Sequence, residues 1–462
     1  MTRRLTFRRA ARRGVAMLLA LVFLALFTSL AVGLAASADM NMAIARNRLN
    51  IHQAAGLAET GVQLIQKHIG GITVPATHNA ADVHAAIGNQ LRTALYSSTM
   101  VDANGITWDA IGVTVPVITL TRLDNRSGMV NLTIAASGGA LDDTTVTVRS
   151  IGQFGNATRT VTYNLTTQRG RTVLNDYGMA SRSVISMSGN AIIKGVDDDH
   201  ASEGSILSAS YSTTNAVQLT GSVYVSGDAG VVNPNGHISN KGSSTIGGQQ
   251  RIGVQEPQWP QVDQSVFVPY ATNVRSTGSS GDLVLSNIRI PPNTNPTFSG
   301  NVTIYGVVYV QSPNKVTFSG NANLIGCIVC EAPAVNNLTD NQIKFTGTLT
   351  TSGVENLVDG VPAGSQYDGL RDLTGSFLLA PGFSTQFSGN FNTVNGCMVA
   401  SEFKFTGNAG GTIKGGVVNL QDSTFEMSGN SPIIIDKQHA VENPAGIVSS
   451  YRLVCVTGSY VE

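Results

Sequence analysis

The chain has 462 residues, of which only 13% are charged, with 29 basic against 29 acidic side chains, 50 glycines and four cysteines. That length allows roughly two to four domains. Low charge with abundant Gly, Ser, Thr, Asn and Val points to exported, repetitive, β-rich structure rather than a cytosolic enzyme. Nucleic-acid binding has no basic stripe to support it, and the cysteines are too few for a disulfide framework.

The first element is basic. Six arginines (Arg3, Arg4, Arg8, Arg9, Arg12, Arg13) precede Gly14 with no acid among them. Without this segment, 23 basic residues face 29 acidic ones, a net charge of −6. Val15–Ala38 then runs 24 residues without a charge, enough for a spanning helix, which needs about 20 apolar residues. Past Asp39 the pattern turns amphipathic: Ile44, Ile51, Ala54, Ala55, Leu57, Ala58, Val62, Leu64, Ile65 and Ile69 fall mostly on helical spacing. No proline interrupts residues 15–70, and Gly70-Gly71 is expected to close the helix. The arginines keep the N-terminus cytoplasmic, which places Asp39–Glu462 outside.

Three readings of this segment compete. A secretory signal could be cut at Ala36-Ser37-Ala38, but its apolar core would exceed the usual 7–15 residues or so. Arg12-Arg13 also permits a twin-Arg signal, followed here by ordinary apolar residues. A plain membrane anchor is the second reading. The third is a prepilin leader, residues 1–14, cut between Gly14 and Val15.

The run Arg13-Gly14-Val15-Ala16-Met17-Leu18-Leu19 onward to Leu26, followed by Ala55-Gly56-Leu57-Ala58-Glu59-Thr60-Gly61-Val62, resembles the N-terminal region of PilX-type type IV pilus assembly proteins. It is also similar to the K-type minor pseudopilin of type II secretion. The resemblance covers roughly residues 8–70. It implies a leader removed by a prepilin peptidase, insertion through residues 15–38 in an inner membrane, a periplasmic or cell-surface bulk, and other pilins or pseudopilins as partners. Major pilins of that family carry Glu at the fifth mature position. Here that position is Leu19, which implies a minor, tip-type subunit.

A second, short helix is expected over Ala81–Tyr96. Alternating strands follow at Gly112–Arg122, Met129–Ala136, Thr144–Ile151 and Thr158–Thr167, with Gln153–Ala157 as a hairpin turn. This helix and these strands are expected to form an α+β pilin-like head over residues 71–180, following the long helix of residues 15–70. The stretch Val148–Leu165 also resembles the matching strand pair of PilX-type proteins.

From about residue 181 to 440 a motif of apolar residue, Ser/Thr, Gly and often Asn recurs, as in Phe298-Ser299-Gly300-Asn301, Phe318-Ser319-Gly320-Asn321, Phe345-Thr346-Gly347, Phe387-Ser388-Gly389-Asn390 and Phe405-Thr406-Gly407-Asn408. From Gly300 to Gly320 is 20 residues, and later steps are 27, 42, 18 and 22. Such a period fits an all-β parallel β-helix, with Gly and Asn at the corners and Phe stacked on Phe in the next turn. A β-sandwich is the plainer alternative. Residues 228–297 lack the motif and read as a long insertion or an irregular turn with loops. Residues 441–462 read as a terminal strand or cap, centred on Ser449–Thr457.

No catalytic, cofactor or metal site is expected. Cys327 and Cys330 are three apart on a strand and so face opposite ways. Cys327 and Cys397 hold similar repeat positions and would form a disulfide only if their turns stack directly. Asp197-Asp198-Asp199-His200 with Glu203 could in principle meet Ca²⁺, but the spacing matches no calcium loop. Two functions remain. One is a pilin-like subunit projecting a β-helix for adhesion or secretion, with surface glycans as a further partner class. The other is a tethered β-helix that binds carbohydrate or cleaves polysaccharide.

Overall fold

The computed structural model describes residues 8–69, 72–74, 80–96, 101–121, 126–137 and 144–461. Two compact units emerge, Met1–Arg169 with Ser450–Glu462, and Gly170–Ser449.

In the first unit, α1 (Arg8–Ile69) is one helix of 62 residues, about 93 Å long at 1.5 Å per residue. Lys67 and His68 occupy its last turn, where cations meet the negative end of the helix dipole. The expected cap at Gly70-Gly71 lies outside the described residues, as do Arg3 and Arg4. α2 (Ala80–Leu95) buries Val83, Ile87, Leu91 and Leu95, a single face at four-residue spacing. One seven-stranded antiparallel sheet completes the unit. Its strands are β1 (Thr73–Val74), β2 (Thr107–Trp108), β3 (Val113–Thr121), β4 (Ser127–Ser137), β5 (Thr145–Phe154), β6 (Ala157–Arg169) and the C-terminal strand Tyr451–Cys455. The spatial order is β1, C-terminal strand, β6, β5, β4, β3, β2. β4 and β5 bury every second residue, as a sheet with one covered face requires. β5 and β6 meet in a two-residue turn, Phe154 opposite Ala157. There Gly155 takes φ +56°, the positive value that a type II′ hairpin needs at its first central residue. Pro116, which has no N–H to give, marks the register shift between Val115 and Ile118.

The second unit is built from three parallel ladders. In the first, Asn273, Ile288, Val308, Ile328, Leu378, Met398, Val417, Met179, Ile206, Ala229 and Gln250 are successive partners. The second runs through the Phe-Ser/Thr-Gly segments, and the third through the strands that follow each glycine corner. The phenylalanines stack: Phe298 on Phe318, Phe318 on Phe345, Phe345 on Phe387 and Phe387 on Phe405, with ring centroids 5.2, 5.1, 4.8 and 5.2 Å apart. They form one core with the inward Val, Ile and Leu of all three ladders.

The order of strands does not follow the chain. Met179–Ser181 lies between Ile206–Ser208 on one side and Val417–Asn419 on the other, and Ile185–Gly189 and Ile192–Gly195 repeat this arrangement. The chain therefore begins in the middle of the stack and advances to one end at Gln250–Ile252. It then crosses back through residues 253–272 to the far end at Asn273–Val274, and winds forward until residues 417–435 meet the first turn. Ten strand spacings of about 4.8 Å make roughly 48 Å, within reach of twenty extended residues at about 3.3 Å each. The crossing segment buries Trp259, Phe267 and Ala271 on the outer face of the first ladder, against Val307, Cys327 and Val329.

Residues 228–297 are thus not one insertion. Ala229–Val231, Ile238–Gly242, Thr245–Ile246 and Gln250–Ile252 continue the ladders. The Phe motif is absent because Asn240 stands in the column of Leu219, yet Gly242 keeps the corner at φ +78° beside Gly221 and Gly189.

Candidate membrane and assembly segment

The longest exposed feature is the first half of α1. From Val15 to Leu49 every residue is exposed, and the apolar side chains point all round the helix rather than along a stripe: Val15 is 63% exposed, Leu19 50% and Phe27 66%. A helix apolar on every face is stable in lipid or inside a bundle, not in water. At 1.5 Å per residue, Val15–Ala38 spans about 36 Å, more than the roughly 30 Å hydrocarbon layer. Two of its hydroxyl residues, Thr28 and Ser29, satisfy themselves within the helix. Thr28 Oγ1 donates to the Leu24 and Ala25 carbonyls, and Ser29 Oγ donates to Leu26 O at 2.9 Å. Among the described residues, one helix is long and apolar enough to cross a membrane, Val15–Ile69.

The backbone of Gly14 lies inside the helix, with no break before Val15. Leu19 sits in a charge-free stretch, and the first acid in α1 is Asp39.

The second half of α1 behaves differently. Ala54, Ala58, Val62, Ile65 and Ile69 are buried on one face. The helix comes unusually close to the sheet because both surfaces are small. A Cβ on Gly152 would lie 2.1 Å from Ala54 O, one on Gly128 would lie 2.3 Å from Leu57 Cδ1, and one on Gly61 would lie 2.2 Å from Ser150 Oγ. The Ala-Glu-Gly cluster thus divides by role: Ala58 and Gly61 face the sheet, whereas Glu59 points outward.

His84 is a functional-looking residue with a structural position. It is fully buried on α2. Its Nε2 accepts from Ala136 N at 2.7 Å, so Nδ1 carries the proton and donates to Asp109 O at 2.9 Å.

The other singled-out residues separate. Cys327 lies in the outer cluster and Cys330 in the inner core. Burial pushes the thiols of Cys327 and Cys397 up to about 12. All four cysteines are free. Cys327 and Cys397 are not brought together, because Ser376–Phe387 pairs with both of their strands and stands between them. Two strand spacings, about 9.6 Å, exceed disulfide reach. Asp197 accepts from both the backbone N and Nδ1 of His200, which holds its carboxyl below the usual range and raises the imidazole. Among the described residues, no group of three or more His, Cys, Asp or Glu could hold a metal ion.

A polar cleft of 340 Å³, invisible in the residue pattern, opens where the first and last turns meet, lined by Asp176, Tyr177, Glu203, Asp228, Arg251 and Lys437 among others. Lys437 Nζ donates to Asn175 O at 3.0 Å, and its backbone N donates to Glu203 Oε2 at 2.9 Å. Burial pushes this ammonium down to about 8, against the pull of Asp176 and Glu203. The cleft ties residues 435–442 to residues 173–177 and 203, and so locks the last turn onto the first.

No protein-family model matches the chain, and neither does any curated protein. Among solved structures, it is similar to the competence-associated pilin ComZ from Thermus thermophilus, at 11% identity over 89% of this chain and 97% of that one. The TM-score is 0.25, too low to carry an argument about fold or function.

Proposed function

We propose that the chain is a membrane-anchored, pilin-like structural subunit rather than an enzyme, of minor or tip type, in a type IV pilus or type II secretion-like assembly. The observation that carries this reading is the division of α1. Residues 15–38 are apolar on all sides and, like residues 39–49, exposed, while residues 54–69 are fastened to an antiparallel sheet through Ala54, Ala58 and Gly61. A helix so built stands in lipid before assembly and among other pilin or pseudopilin helices after it. In this reading a prepilin peptidase removes residues 1–14 between Gly14 and Val15. The N-terminus is cytoplasmic, and Leu19 leaves no carboxylate to pair with a neighbour's terminal amine. Residues 181–440 form a parallel β-helix projected for adhesion or secretion, with surface glycans as candidate contacts. Its support is the three in-register ladders and the phenylalanine column.

The test is mass analysis of the N-terminus of membrane-extracted protein, with and without a prepilin peptidase. The expected mature chain starts at Val15, and only when the peptidase is present. A start at Met1 or Asp39 in both samples overturns the pilin reading.

A further inference from the structure

The stack has two uncapped ends, and they match each other. At one end, Ile238–Gly242, Thr245–Ile246 and Gln250–Ile252 each pair on one side alone. At the other, Asn273–Val274 and Leu283–Ser286 do the same. The core is open at both. Ile238, Ile246, Leu283 and Leu285 are only partly buried against it, and Ile252 is 49% exposed although its register partner Val231 is fully buried. Because every ladder is parallel, the two ends carry strands running in the same direction. One could continue the other without any change of register.

A glycine column makes this specific. From one end to the other, a Cβ on Gly300, Gly320, Gly347, Gly389, Gly429, Gly189, Gly221 or Gly242 would lie 2.0–2.7 Å from the carbonyl oxygen of the preceding glycine in the column. Each must therefore be glycine because its neighbour's backbone fills the space. Two members depart from this: Gly407, whose Cβ would lie 3.3 Å from Ser388 O but whose φ of +67° itself calls for glycine, and Gly281, which heads the column. A Cβ there would meet nothing within 4 Å, and its φ lies outside the left-handed region. Nothing inside one molecule requires a glycine at 281.

We infer that Gly281 is kept bare for a second copy of this chain, whose Gly242 stacks on it and extends the column from molecule to molecule. Docked in this register, Asn273 of one copy lies beside Gln250 of the next, where two amides can pair in a column that is otherwise mostly apolar. Asp282 holds the corner position of Asn301, whose Nδ2 donates to it at 2.8 Å. It lands beside Ser243, two residues from the exposed Lys241, so opposite charges meet across the joint. The contact is head-to-tail and does not close, so copies add along the stack axis. This inference uses the stack alone and does not depend on how α1 functions.

The experiment is sedimentation velocity of the full-length chain in detergent over a concentration series, with thermal unfolding of each variant as a control. Concentration-dependent growth is expected for the natural sequence. Gly281→Ala should weaken it roughly tenfold or more without changing the unfolding temperature. Lys241→Glu and Asp282→Lys should each weaken it, and the double reversal should restore it, because the pair then faces itself with signs exchanged. A chain that stays monomeric at every concentration overturns the proposal. So does association through α1 alone, which would be indifferent to all these substitutions.

Discussion

The two units bury their cores by opposite rules. The antiparallel sheet is specified residue by residue: every second side chain along β4 and β5 faces α1 and α2, and turn chemistry at Gly155 sets the pairing. The parallel stack is specified turn by turn. Each Phe or Val gains its neighbours from equivalent positions about 20 residues away or far along the chain, and no single turn holds a core of its own. Damage should therefore stay local in one unit and spread along a column in the other.

The sharpest test of that contrast is the phenylalanine column. Phe345→Ala removes a ring stacked on two others and should cost about 3–5 kcal/mol, read as a lowered unfolding transition of the stack. Phe298→Ala, at the end of the column with one stacked ring partner, should cost clearly less. Equal losses at both positions would break the columnar view.

A smaller effect is expected where α1 meets the sheet. Gly152→Ala sets a methyl group against the Ala54 carbonyl and should destabilise the first unit by about 1–3 kcal/mol, leaving the transition of the second unit in place. A single merged transition that shifts as a whole would show that the two units do not unfold separately.

A pH-dependent effect concerns the cleft. Lys437 is depressed from 10.5 to about 8 in the folded chain. Between those values the unfolded chain binds more protons, so stability rises with pH from about 8 to 10.5 and falls as pH drops through 8. Lys437→Met should flatten that slope in thermal melts of the stack. An unchanged slope would assign it to other groups.

Much of this was legible in sequence. The alternation in Met129–Ala136 and Thr144–Ile151 marks strands because one covered face demands it, and the Phe-Ser/Thr-Gly-Asn recurrence marks stacked turns. The order of those turns was not legible. A period says that a turn lies on something like itself, but not that Met179–Ser181 lies on Val417–Asn419. The same blindness made Cys327 and Cys397 look like neighbours. Their local sequences match, but the turn at Phe377 comes between them. Residues 238–252 were missed because Asn240 and Gln250 hold columns that elsewhere carry apolar side chains. For the assembly segment, the charge-free stretch was plain from Val15 to Ala38, whereas the role of Gly128 and Gly152 in seating the helix needed the sheet to be seen.

The C-terminal strand pairs with β6 on one side and β1 on the other, although the whole stack separates it from β6 in sequence. The sheet of the first unit therefore cannot be completed until the chain has passed through the stack and reached Tyr451–Cys455. Loss of Tyr451–Cys455 would leave β6 and β1 each without that neighbour, an open edge ready to pair with another strand.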